Sequence, residues 1–263
     1  MTINKNDLLD KLSDVKYICR EASKKILEIY NTDFDVEYKE DNSPLTLADK
    51  ISNQLIVDYL KNKYPEISFL SEEFEDDRSR LNNEWCWIID PLDGTKEFLK
   101  KNDEFTINVA LVYKKEAVLG LVFVPVTDEI YFAVKGEGAY FEKNGIIKKI
   151  KVSDKKDNLT LVKSRSHASD DLKNLIEKNS NKINKIIDSG SSIKGCLIAR
   201  GLADIYYRFG PTMEWDTAAM QCIIEEAGGV FLQINGDKMY YNRKDPKNIG
   251  FFVLNNIANR LSF

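Results

Sequence analysis

Trp85-Cys86-Trp87-Ile88-Ile89-Asp90-Pro91-Leu92-Asp93-Gly94-Thr95 is the stretch that decides how this chain is read. Its unbroken apolar start, rich in aromatic and β-branched side chains, predicts a buried strand. Charge begins where the strand ends. Asp90 and Asp93 flank Pro91-Leu92, and Pro91 has no N–H to give a ladder, so the strand is expected to stop and the chain to turn. The two carboxylates can then converge on one point. Gly94 permits close backbone approach, and Thr95 opens a helical stretch, Lys96-Glu97-Phe98-Leu99, whose first N–H groups and dipole favour a phosphate. An arbitrary Asp-x-x-Asp is usually a solvated turn. The order of strand, acids, glycine, threonine and helix points instead to oxygen ligands of the kind that suit Mg²⁺, which keeps places for water and phosphate oxygens.

Three further segments offer the same chemistry. Ser71-Glu72-Glu73 follows the expected strand Ile67 to Leu70, placing a carboxylate at another strand end. Glu214-Trp215-Asp216-Thr217-Ala218-Ala219 sets Asp216 at the start of a helix with Met220, Ile223, Ile224 and Ala227 as its apolar face and Gly228-Gly229 as its stop. Asp49 falls in the first turn of another helix, Leu47 to Lys61. Taken singly, such acids are more often helix caps or solvated side chains.

Around these segments, apolar spacing predicts a long amphipathic helix from Lys5 to Tyr30, then strands at Phe105 to Tyr113, Ala117 to Pro125, Glu129 to Val134 and Ala139 to Phe141, with a turn at Lys143-Asn144-Gly145. This is a largely antiparallel meander buried against helices. From about residue 153 strand and helix alternate, with Leu159 to Val162, Ser169 to Lys178, Ile183 to Asp188, Gly195 to Gly201, Ala203 to Arg208, Asp216 to Ala227 and Phe251 to Leu254. The expected division is an N-terminal α+β lobe, 1–152, and a C-terminal α/β lobe, 153–263.

The bulk numbers narrow the chemistry. With 38 basic against 42 acidic residues scattered along 263, the chain lacks the clustered positive charge that holds a nucleic-acid polymer. Cys19, Cys86, Cys196 and Cys222 are far apart in apolar surroundings and read as reduced core residues of a cytoplasmic protein. The N-terminus has no apolar signal core, and the longest apolar run, Ala117 to Val126, is too short to cross a bilayer. Peripheral attachment to the cytoplasmic face of the inner membrane is left open, as is the choice between monomer and homodimer. A single histidine, His167, rules out a His-rich metal site or a two-His phosphotransfer scheme. The chemistry must run on carboxylates, hydroxyls and cations.

Together the four acidic segments resemble the lithium-sensitive, Mg²⁺-dependent phosphatase superfamily of inositol monophosphatases, fructose bisphosphatases and 3′(2′),5′-bisphosphate nucleotidases. Trp87 to Thr95 and Trp215-Asp216-Thr217-Ala218-Ala219 look like its two signature motifs, and the likeness covers nearly the whole chain. Lys96-Glu97-Phe98, Ser43-Pro44-Leu45-Thr46-Leu47-Ala48-Asp49, Ser164-Arg165-Ser166-His167 and Phe209 to Asp216 are similar to its bacterial nucleotidase branch. Gly195 departs from that branch, where an aromatic residue is frequent, which puts the pocket's shape there in question.

The resemblance implies an α+β fold of alternating α-β-α-β-α layers. It also implies that Glu72, Asp90, Asp93 and Asp216, with the Leu92 carbonyl, hold two or three Mg²⁺ ions. Thr95 and Asp49 would activate water, helped by Glu72, and Gly94 and Thr95 would cradle the phosphate. Ser191, Lys194, Arg208 and His167 would bind the rest of a nucleotide bisphosphate, adenosine 3′,5′-bisphosphate foremost. The alternatives are an inositol-1-monophosphatase with the same metals and a silent metal-binding scaffold.

Overall fold

Leu8, Leu12, Val15, Cys19, Ala22 and Ile26 fall on one side of a helix and all are buried, which fixes α1 (Lys5–Tyr30) against the body of the protein. The computed structural model describes residues 4–32, 36–38, 44–165 and 169–263. Five further helices are described: α2 (Leu47–Lys63), α3 (Thr95–Leu99), α4 (Asp170–Lys178), α5 (Ile193–Ala199) and α6 (Glu214–Glu226).

A seven-stranded sheet runs in chain order through Ser68–Ser71, Trp85–Asp93, Thr106–Tyr113, Glu116–Val124, Glu129–Val134, Gly138–Lys143 and Ile146–Ile150. Its first pair is parallel and the rest antiparallel. A five-stranded sheet has the order Ile183–Ser189, Leu159–Ser164, Ile205–Arg208, Phe251–Leu254, Val230–Gln233, parallel over its first three strands and antiparallel after.

The period-two alternation of the strands sorts the side chains into layers. Trp87, Ile89, Val109 and Leu121 join α1 and α2 in one core. Cys86, Ile88, Ala110 and Val122, on the opposite face, join α5, α6 and Val162, Tyr206, Phe251 and Val253 of the second sheet. The far face of that sheet buries Leu161, Ile205 and Leu254 against Leu172 and Leu175 of α4. Helices, sheet, helices, sheet, helix is the five-layer α+β order that the sequence implied.

Two strands of these large sheets were not anticipated, nor were the short pairs Val36–Tyr38 with Pro44–Thr46 and Thr212–Met213 with Lys247–Asn248. Ile146–Ile150 is exposed over most of its length and carries Lys148-Lys149, so no buried face marks it in the sequence. Val230–Gln233 is short and follows directly on the Gly228-Gly229 stop. The turn before Ile146 is as expected, with Asn144 and Gly145 both at positive φ (52° and 72°). One expectation is corrected: the decisive strand does not stop at Pro91. Asp90 pairs with Asn108 and Asp93 with Thr106, so a bulge takes up one extra residue and pairing resumes. Pro91 sits inside the bulge, where its missing N–H costs no ladder bond.

Candidate active site

The bulge sets the site's geometry. Residues three apart in a regular strand point to opposite faces, and one extra residue turns Asp90 and Asp93 to the same side. Ser52 of α2 donates to the Pro91 carbonyl (2.8 Å), and the Leu92 N–H donates to Asp90 Oδ1 (3.1 Å), which pins the bulge. Asp216 arrives from α6, where its Oδ2 accepts from the Met213 N–H (2.7 Å) in the first turn. Carboxylate oxygens of Asp90, Asp93 and Asp216 thereby lie within 4.8 Å of one another. Glu72 joins them because its N–H donates to the Ile89 carbonyl (3.2 Å) beside the same strand end.

These acids are held, but not neutralised, by the protein. Asp93 Oδ2 accepts from Ser192 Oγ (3.0 Å), Asn108 Nδ2 (3.2 Å) and Thr106 Oγ1 (3.4 Å). Asp90 is 1% exposed, and its Oδ2 has no hydrogen-bond partner among the described residues. Burial first, then Glu72, Asp93 and Asp216, push the Asp90 carboxyl well up, while Asp216 is raised by burial and by Asp93. A buried orphan oxygen facing other carboxylates costs free energy until a proton or a cation meets it. The donor set is all oxygen, so Asp90, Asp93 and Asp216 could hold a hard divalent cation, with Glu72 beside them.

Asp49 stands behind this cluster. Its Oδ2 accepts from the Thr46 N–H (2.8 Å), and its Oδ1 accepts from Thr95 Oγ1 (3.2 Å). Burial raises the Asp49 carboxyl, against the lowering effect of the Thr46 hydrogen bonds. Gly94 has φ 94°, and a Cβ there would meet the Glu104 carbonyl at 3.2 Å and Ser191 Cβ at 3.3 Å, so glycine is required at this crossing.

Glu72, Asp90, Leu92, Asp93, Gly94, Thr95, Ser191, Lys194, Arg208 and Asp216 line one cleft of about 550 Å³, and Asp49 is reached through Thr95. His167 and Ser166 lie outside the described residues, as do Asp41 to Ser43 ahead of α2. Lys194 is not a surface charge: it is 6% exposed, donates to the Ser191 carbonyl (2.5 Å) and stands over the Tyr206 ring. Burial lowers its pKa to about 8, with Asp93 opposing and the Arg208 cation adding to the shift. Arg208 donates to the Pro211 carbonyl (3.3 Å), yet its Nε is buried without a partner among the described residues, and so is Ser191 Oγ at a strained φ of 41°. At Gly195 a Cβ would fall 2.2 Å from Met220 Cγ and Sδ, so Met220 fills the space an aromatic side chain would need.

Sequence reasoning missed the residues that hold Asp93. Ser192 links it to Asn108 Nδ2 (2.9 Å) and to the Asp216 carbonyl (3.2 Å). A signal for Asn108 existed: Thr106 and Asn108 are two polar residues on one face of an otherwise apolar strand.

The Inositol monophosphatase family model matches residues 9–256. The protein named 3′(2′),5′-bisphosphate nucleotidase CysQ of Salmonella typhimurium is 38% identical over 247 residues, 92% of this chain and 98% of that protein. Its namesake from Buchnera aphidicola is 41% identical over 253 residues, 94% of this chain and 93% of the other. The crystal structure of CysQ from Bacteroides thetaiotaomicron superposes with a TM-score of 0.85 at 39% identity, covering 98% of this chain and 100% of that one. With the acid cluster, the layer order and these relatives agreeing over almost its full length, the chain belongs to the inositol monophosphatase family.

Proposed function

We propose that this chain is a Mg²⁺-dependent phosphomonoesterase that removes the 3′-phosphate of adenosine 3′,5′-bisphosphate to give AMP and phosphate, a reaction linked to sulfate assimilation. The observation that carries the reading is one cleft that joins the carboxylate cluster to two cationic side chains, the buried Lys194 and the half-buried Arg208. Its volume suits a mononucleotide, within the roughly 300–1,000 Å³ of ligand pockets. Tyr206, Met213, Trp215, Met220 and Phe251 give it an apolar wall fitted to a heterocyclic base. The relatives named as 3′(2′),5′-bisphosphate nucleotidases support the same substrate class.

In this reading Glu72, Asp90, Asp93, Asp216 and the Leu92 carbonyl hold two or three Mg²⁺ ions. When bound, Mg²⁺ neutralises the phosphate's charge and makes bound water more acidic. Thr95 Oγ1 accepts a proton from the attacking water and passes its own to Asp49 Oδ1, the oxygen it already faces. Burial raises Asp49's affinity for that proton. Water attacks phosphorus in line, the P–O3′ bond breaks, O3′ takes a proton from solvent to become the hydroxyl of AMP, and no phosphoenzyme is needed. The Gly94 and Thr95 N–H groups, at the start of α3 on the cleft wall, cradle the phosphate. Lys194, Arg208 and Ser191, with His167, hold the 5′-phosphate that remains on the product. An arriving phosphate stabilises the protonated Lys194 and gives Arg208 Nε an acceptor. An inositol 1-phosphate substrate uses the same acids but brings those two cations no second phosphate.

The four buried free thiols support a cytoplasmic setting, and among the described residues no helix is long and apolar enough to cross a membrane. Lys194→Ala tests the anchor. It should lower kcat/KM on adenosine 3′,5′-bisphosphate about ten-fold more than on a simple monophosphate, the weight of one charge-assisted hydrogen bond. Equal losses on both would remove Lys194 from the substrate site.

A further inference from the structure

Glu72 and Asp216 reach the cleft from separate parts of the chain, and a buried polar network joins the segments that carry them. Arg80, 1% exposed, lies in the segment that follows Glu72. Its Nε and one Nη grip Asp76 (3.0 and 2.8 Å), the other Nη donates to Asn242 Oδ1 (2.7 Å), and a further bond reaches the Arg243 carbonyl (2.9 Å). Asn242 returns the contact through Nδ2 to the Arg80 carbonyl (3.1 Å). The Asn242 and Arg243 N–H groups both donate to the carboxylate of Glu214 (2.7 and 3.0 Å), and Arg243 Nε adds a bond of 2.9 Å. Glu214 is fully buried and is the first residue of α6, two positions before Asp216.

A buried Arg and a buried Glu are costly to desolvate, and a well-packed apolar pair would serve stability as well or better. Their use is geometric, because a guanidinium fork and a carboxylate fix direction where apolar contacts slide. One end of this network lies two positions before Asp216, and the other grips Asp76, four positions after Glu72.

We propose that Arg80, through Asn242 and Glu214, is a positioning residue that holds the Glu72 segment in register with the start of α6, so that Glu72 faces the same cleft as the Asp90, Asp93 and Asp216 cluster. The proposal rests on the reading of those acids as metal ligands. It makes no contact with substrate necessary, so its signature is a weakened affinity for divalent cation with the substrate anchors intact.

The test compares purified wild type with Arg80→Met and the milder Asn242→Ala, against a control, Glu142→Gln. Glu142 is also buried and ion-paired, to Lys16 and Arg20, but ties α1 to the sheet. Mn²⁺ binding is measured by calorimetry, and the Mg²⁺ concentration for half-maximal phosphate release and the melting temperature in chelator are measured beside it. Arg80→Met and Asn242→Ala should weaken Mn²⁺ binding and raise the Mg²⁺ requirement about ten-fold, as loss of outer-shell support does. Saturating Mg²⁺ should restore most of kcat, and Glu142→Gln should lose melting temperature with no change in either cation measure. Wild-type metal affinity in Arg80→Met or, should that variant not fold, in Asn242→Ala would overturn the tether alone, as would an equal shift in the control. A wild type that binds no divalent cation would overturn the metal reading and the tether together.

Discussion

At the scale of single residues, the account depends on oxygens with two duties. Asp49 and Asp216 each spend one carboxylate oxygen on the first turn of their own helix, a role that would satisfy an ordinary surface acid. Asp49's second oxygen meets Thr95, and Asp216 is brought into the acid cluster. In the proposed mechanism Thr95 is the hydroxyl through which the proton passes. Thr95→Ala should lower kcat by about 10²- to 10⁴-fold, the range for general-base catalysis, with the melting temperature little changed. Thr95→Ser, which keeps the hydroxyl, should recover most of that loss. Equal activity in the two variants, read by phosphate release, would show that the hydroxyl is not on the proton's path. The Asp49, Thr95 and Asp216 positions were legible in the sequence because each sits in a motif. Ser192, Asn108 and Thr106 were not, because Asp93's partners come from three elements that only the fold brings together.

At the scale of elements, two contacts shape the site. The bulge at Pro91-Leu92 was not legible, since proline announces a broken ladder without saying whether pairing resumes beyond it. The strands and helices themselves were readable because apolar period and cap residues agree along most of the chain. The α5–α6 crossing was readable only as an oddity, the glycine at 195. There the missing side chain admits Met220, which is nearly fully buried and also lines the cleft. Alanine ordinarily favours a helix over glycine, yet a Cβ at 2.2 Å from Met220 must displace packed atoms, and overpacking wins. Gly195→Ala should destabilise the protein by about 1–3 kcal/mol in urea unfolding. Adding Met220→Ala should relieve that penalty, leaving the double variant more stable than the sum of the two changes. Strict additivity would mean that the two positions do not compete for space.

For the whole molecule, the seven-stranded sheet and α6 together enclose a set of acids that the fold alone does not stabilise. Burial and mutual repulsion raise the Asp90 and Asp216 carboxyls, so the metal-free fold binds protons that the unfolded chain has already released. Its stability should accordingly be greatest near the ordinary carboxylate range and fall as pH rises through the raised values. Mg²⁺ binds the deprotonated acids, so its stabilising effect should grow in the opposite direction. The gap in melting temperature between Mg²⁺ and chelator should widen from about pH 5 to about pH 8. A gap that is constant or narrows over that interval would contradict a cation held by these carboxylates. The central claim, that this cleft serves a nucleotide bisphosphate under Mg²⁺, is tested most directly by one side-by-side assay. Phosphate release is measured from adenosine 3′,5′-bisphosphate and from inositol 1-phosphate, each with Mg²⁺ and with chelator. The account predicts rapid, Mg²⁺-dependent release from the bisphosphate, with kcat/KM at least about ten-fold above that for inositol 1-phosphate, the worth of the Lys194 and Arg208 contacts. Preference for inositol 1-phosphate, or undiminished release in chelator, would contradict it.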